Sequence, residues 1–310
     1  MAESQASESE KAPPSMLKDL LVLTKFRLSA LVIVTTFVGF WLRRQQPLDG
    51  WLLFHTLLGS TLAAFGAAVF NQLMEVEPDS RMVRTADRPL PSGRISTPAA
   101  FGLGWVLSSF ALIHLSAKVN VEAAGLTAAT LATYLFIYTP LKQASAANTL
   151  VGAVSGALPP LIGWAGAAGP SAATGSYFRW ELLIEPGAIY LFALLFFWQL
   201  PHFLAINWMY RDEYQRGGFV MLANDDDKGA KTSLHALGYA IATLMLMFYP
   251  VMMKVASVWF LLPGVALGGW LCWLAWKFRQ LRDRPSARKL FFCTLAYLPL
   301  VLIFTVLAWK

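Results

Sequence analysis

Nine stretches of the chain are almost continuously apolar, near 26–42, 51–73, 98–117, 121–139, 148–168, 187–208, 233–253, 256–276 and 290–309. A helix rises about 1.5 Å per residue and needs about 20 residues to cross the hydrocarbon of a bilayer. The runs have that length and lack the two-residue alternation of a barrel strand, so the pattern predicts nine membrane-spanning helices. The fold class is therefore all-α, a polytopic helical bundle. Residues 1–15 are Ala, Ser, Glu and Pro-rich and read as a solvated cytoplasmic tail, not a signal peptide. That leaves 16–310 as a single transmembrane domain.

Composition agrees, since 56% of the residues are hydrophobic and only 14% are charged. A water-soluble fold of this make-up would have more apolar surface than it could hide. The net charge of +7 suggests a nucleic-acid partner until the basic residues are placed. With the amino terminus taken as inside, only Arg43, Arg44, Lys118, Arg179, Lys254 and Lys310 of the 25 lysines and arginines fall outside. The asymmetry follows the positive-inside rule, needs no nucleic acid, and puts the carboxyl terminus outside. Cys272 and Cys293 lie within apolar runs and read as small hydrophobes.

Two inner loops, near 74–97 and 209–232, concentrate charge of both signs and are four spans apart. That spacing suggests two four-helix units plus a terminal helix, with both loops over a central cavity at the repeat interface. The first loop opens Asn71-Gln-Leu-Met-Glu75-Val-Glu-Pro-Asp79, an amide and two carboxylates at steps of four. Each step drifts about 40° around a helix, so the three share a face that would suit magnesium, a cation that prefers oxygen and keeps room for phosphate. Arg81, Arg84 and Arg88 follow, and guanidinium groups pair well with phosphate oxygens. A merely solvated loop would account for the arginines but not for Asn71, Glu75 and Asp79 at the end of an apolar helix. Pro78 disfavours a regular helix there.

These residues resemble the first signature of the UbiA superfamily of intramembrane prenyltransferases. Asp79-Ser-Arg81-Met-Val-Arg84, Arg88-Pro89, Tyr138-Thr-Pro-Leu-Lys142, Trp198-Gln-Leu-Pro-His202-Phe203 and Tyr210-Arg211-Asp212-Glu213-Tyr214 further resemble its protohaem farnesyltransferase (haem O synthase) branch. The resemblance implies a UbiA-like bundle in the bacterial cytoplasmic (inner) membrane, with the amino terminus and both active-site loops cytoplasmic. It implies transfer of the farnesyl group of farnesyl diphosphate to a vinyl group of haem B with addition of water, Mg2+ serving the diphosphate and haem B being a substrate. Haem A synthase or oxidase assembly factors are the implied protein partners.

On that reading Asn71, Glu75 and Asp79 hold metal, and Arg81, Arg84, Arg88 and Lys142 take the diphosphate. Tyr138 donates a hydroxyl or presents a π face to a carbocation. The second loop lacks the paired aspartates of quinone prenyltransferases, which puts a second magnesium in doubt. His202, Arg211, Asp212 and Arg216 are the acceptor-side candidates, through haem iron or its propionates. His55, His114 and His235 read as packing residues, Asp225, Asp226 and Asp227 as a solvated acidic stretch, and Gly152, Gly156 and Gly163 as close helix packing. A quinone-type acceptor and a secondary transporter remain the competing functions.

Overall fold

The computed structural model describes residues 15–170 and 178–310. Within them nine helices are long and apolar enough to span a bilayer: α1 (Phe26–Arg43), α2 (Gly50–Met74), α3 (Thr97–Lys118), α4 (Val121–Leu141), α5 (Asn148–Gly166), α6 (Pro186–Met209), α7 (Ala230–Met252), α8 (Val258–Leu281) and α9 (Arg284–Ala308). No strand occurs among the described residues. The expected tail lies outside them except for Ser15, whose hydroxyl caps a short helix, Met16–Leu23.

The largest departure from the apolar pattern is at α9, which begins at Arg284 although the apolar run begins near 290. Asp283 caps it by accepting from the Ser286 amide at 2.9 Å, and Pro285 stands in the first turn, where no N–H is needed. The basic side chains of this extra turn and a half, Arg284, Arg288 and Lys289, are exposed.

Helix α6 is apolar on every face and packs against α5, α7 and α9. A helix of that kind belongs inside a bundle, and its Leu191, Leu194 and Leu200 are fully buried. Two of its side chains donate to backbone carbonyls of its neighbours: Gln199 to Ala153 and Trp198 to Thr294, both at 2.8 Å. On the other side α1 crosses the second half of α5, where Gly163 faces the carbonyl of Thr36 so closely that any Cβ would overlap it. Small residues permit such backbone approach.

Two irregularities lie at the end of the bundle that carries the polar loops. Residues Thr133–Tyr138 form a π turn within α4, the Thr139 amide bonding the Tyr134 carbonyl five residues back. Pro140 follows, and it has no N–H with which to restore the ordinary ladder. The widened turn is of the kind that often marks a functional site. Between the helix Met16–Leu23 and α1, Lys25 adopts a left-handed backbone (φ 48°), uncommon for a residue with a side chain.

Candidate active site

A polar cavity of about 170 Å³ opens at the end of the bundle that carries the two polar loops, lined from the first loop by Glu75, Asp79, Arg84 and Arg88 and from the second by Tyr214, Phe219 and Met221. The ends of the helices supply Lys25, Tyr138, Lys142, Asn148, Thr149, Phe203, Ile206 and Asn207. The two polar loops thus meet over one space, as the four-span offset predicts.

The carboxylates are buried, Glu75 being 4% and Asp79 1% exposed. Glu75 Oε1 accepts from Lys142 Nζ at 2.6 Å, and Asp79 Oδ2 from Arg88 at 2.5 Å. Burial pushes the Glu75 carboxyl upward, but Lys142 and Lys25 outweigh it and hold the pKa below the ordinary value. For Asp79 burial prevails over Arg88, and the pKa is raised. Lys142 is raised above the usual ammonium value, because burial, which would lower it, is outweighed by Tyr138 and Glu75. Lys25 goes the other way, to about 7, because burial dominates and Arg88 and Lys142 repel it, against the attraction of Glu75 and Asp79.

Each carboxylate commits one oxygen to a cation. Among the described residues no donor reaches Glu75 Oε2 or Asp79 Oδ1, and both side chains line the cavity. Two hard oxygens suit magnesium, which completes its shell from water and phosphate, and the cations around them suit the phosphate. No cluster of three or more His, Cys, Asp or Glu suited to a metal occurs among the described residues, so a closed protein cage is not on offer.

Asn71 departs from the expected ligand face. The helix ends at Met74, the Glu75 backbone leaves helical geometry, and Asn71 is drawn inward. Its side-chain oxygen accepts from Lys25 Nζ, its amide donates to Thr139 at 3.3 Å, and it is absent from the cavity wall. Arg81 departs too, since it pairs with Glu77 four residues back along an exposed face. Arg84 lines the cavity and lies over the rings of Tyr210 and Tyr214, at 5.1 and 6.0 Å.

The acceptor-side candidates are less gathered. His202 is sandwiched between Trp198 and Phe291, with ring centroids at 5.6 and 4.9 Å, and its Nδ1 bonds Thr294 at 2.8 Å. It faces the α9 side of α6, whereas its neighbour Phe203 lines the cavity. Arg211 lies over Trp208 beside Asp212, and Arg216 pairs with Glu213 at 3.2 Å. All three belong to the short helix Arg211–Arg216, whose Tyr214 alone reaches the cavity. On the far side of Tyr210 a separate groove of about 770 Å³ is lined by Met209, Arg284, Arg288, Lys289, Phe291 and Phe292. His55 and His114 bond each other at 3.1 Å, and Asp226 caps α7 through the amides of Ala230 and Thr232.

A second, mostly apolar cavity of about 390 Å³ runs from the polar one into the membrane-spanning part, between residues such as Leu28, Val32, Ala63, Ala67, Leu131, Gly152 and Ile162. The two share Lys25, Tyr138, Lys142, Phe203 and Tyr214. Lys25 is the residue that sequence reasoning missed. Its signal, a lysine at the junction of two apolar helical stretches, was absorbed into the count of inner basic residues.

The UbiA prenyltransferase family model matches residues 32–298. The chain is 41% identical over 293 residues to the protoheme IX farnesyltransferase of Opitutus terrae, covering 94% of each chain. In fold it is similar to a digeranylgeranylglyceryl phosphate synthase (TM-score 0.75, 15% identity, 94% of this chain and 98% of that one). It is similar also to an Archaeoglobus fulgidus UbiA homologue solved with GPP and Mg2+ (TM-score 0.65, 11% identity, 93% and 99%). The chain belongs to the UbiA prenyltransferase family and, within it, to the protoheme IX farnesyltransferases.

Proposed function

We propose that the chain transfers the farnesyl group of farnesyl diphosphate to a vinyl group of haem B, with addition of water, giving haem O and diphosphate. The observation that carries this reading is the junction of a cation-rich pocket and an apolar channel at Lys25, Tyr138, Lys142, Phe203 and Tyr214. An amphiphile with a diphosphate head and an isoprenoid tail would place its breaking bond at that junction.

Ionising an allylic diphosphate concentrates negative charge on the leaving group and leaves a carbocation. Lys142, Lys25, Arg84 and Arg88 converge on the polar side, where fixed cations stabilise charge as it develops. Glu75 and Asp79 would hold Mg2+, which when bound neutralises diphosphate oxygens. Asn71 keeps Lys25 in place, and Glu75 does the same for Lys142. The rings of Tyr138, Tyr214 and Phe203 surround the junction and offer π faces to the allylic cation.

The acceptor is assigned to the second-loop side. The groove beyond Tyr210 offers an aromatic floor and three cations, Arg284, Arg288 and Lys289, suited to propionates. The enzyme resides in the bacterial cytoplasmic membrane, with the amino terminus and both loops cytoplasmic and the carboxyl terminus outside, and haem A synthase or an oxidase assembly factor receives the product. Detergent-purified protein incubated with haem B, farnesyl diphosphate and magnesium is expected to yield prenylated, hydrated haem by mass spectrometry, and chelation to abolish it. Prenylation of a phenolic acid with haem B untouched would overturn the reading.

A further inference from the structure

Three neutral polar residues also line the polar cavity: Asn148, Thr149 and Asn207. Their hydrogen bonds run in one direction, set at Asn148. Asn148 donates through Nδ2 to two backbone carbonyls, Ser145 at 2.7 Å and Val220 at 2.8 Å. Carbonyls accept only, so its amide cannot be turned round, and Asn148 Oδ1 is left as an acceptor. The Thr149 hydroxyl donates to it at 3.4 Å. With its proton spent, Thr149 Oγ1 receives the Asn207 Nδ2–H, also at 3.4 Å. The relay ends at Asn207 Oδ1, which no donor reaches among the described residues, on a side chain 5% exposed that lines the cavity. An acceptor with no protein donor in so buried a place calls for a small donor from the cavity.

We infer that Asn207 holds, through Oδ1, the water that completes the reaction, and that Thr149 and Asn148 fix the direction of that amide. The inference rests on the reading of the chain as a haem farnesyltransferase. The steps balance as follows. The C–O bond to diphosphate breaks and its electron pair leaves with diphosphate. The vinyl π pair forms the new C–C bond and leaves a cation on the carbon next to the porphyrin ring. A water lone pair forms the C–O bond there, and the proton shed by the resulting oxonium passes to a diphosphate oxygen. An amide oxygen suits this place because it orients water yet is too weak a base to strip a proton from the cation. A carboxylate in its position would favour elimination to the alkene. Asn207 is thus a positioning residue, and it decides between hydration and proton loss.

The test is product partition. Asn207→Leu removes the acceptor, and Thr149→Val, close in shape, cuts the relay without filling the cavity. Both are incubated with haem B and farnesyl diphosphate, and prenylated haem is resolved by mass into the hydrated form and the form lighter by one water. The lighter form is expected to rise about tenfold relative to the hydrated one in each variant that turns over, at a KM for farnesyl diphosphate within about twofold of the parent. Asn207→Asp, which keeps the size, is expected to shift partition in the same direction. If the product stays fully hydrated in Thr149→Val and Asn207→Asp while rates fall, Asn207 is only structural and the inference is wrong. If the parent chain makes no prenylated haem at all, the functional reading itself fails, a result visible before any variant is made.

Discussion

Both ends of the bundle bury charge, but they do so in opposite ways. At the end away from the cavity, Arg43 meets Glu185 through two guanidinium nitrogens, each at 2.9 Å, and Trp164 adds an indole N–H at 2.8 Å. Nearby Arg179 holds Glu122 at 2.6 and 3.0 Å and gives its backbone amide to the same carboxylate. These are closed sets in which geometry and hydrogen bonding offset desolvation. At the cavity end, Lys25, Arg84, Arg88 and Lys142 surround only Glu75 and Asp79, and each carboxylate keeps an oxygen toward the cavity. A closed ion pair stabilises a fold. An open one with surplus positive charge suits an anion.

The comparison makes opposite demands on substitutions at the two ends. Asp79→Asn is expected to lower turnover by roughly 10³-fold with little change in melting temperature, measured by product formation and thermal unfolding in detergent. Lys142→Met should cost about 10²-fold in turnover, with weaker binding of farnesyl diphosphate in steady-state kinetics. Replacing Arg284 and Arg288 together by Gln should raise the KM for haem about tenfold and leave that for farnesyl diphosphate unchanged, since the groove lies apart from the diphosphate pocket. At the other end Glu122→Gln should remove about 3 kcal/mol of stability, read from thermal unfolding, while kcat stays within about twofold. If it reduced turnover as Asp79→Asn does, the division between closed and open ends would be wrong.

The smallest effect concerns pH and separates the second loop from the first. Burial alone would raise the Asp226 pKa, but hydrogen bonds from Thr232, Lys231 and Ala230 outweigh it and hold it below the ordinary value. Its contribution is then fully present above the ordinary carboxylate pKa and lost as pH falls through the depressed one. Asp226→Asn should flatten the acid limb of the stability profile by about 1 kcal/mol or less and leave catalysis near neutral pH untouched.

The spans were legible in the chain because lipid imposes a length and leaves no freedom for open strands. Glu75 and Asp79 were legible because buried carboxylates at a helix end demand a reason. Asn71 and Arg81 were not placed correctly by the same spacing, since the helix breaks at Glu75 and a step of four no longer keeps one face. His202 is turned away from the polar cavity for a related reason. A motif gives the helix, but the rotation of α6 decides that Phe203 faces the cavity and His202 faces Thr294. Asn148, Thr149 and Asn207 carry no local signature, being brought together only by the crossing of α5 and α6.

The apolar channel has one more consequence. Ala63, Ala64 and Ala67 contribute to its wall, each a methyl or a few away from a bulkier residue. Its depth is therefore governed by side-chain volume, with the backbone scaffold left alone. On the proposed reading, single substitutions at these alanines retune the isoprenoid length the channel accepts, so selectivity for tail length can change while the charged chemistry at the junction stays fixed.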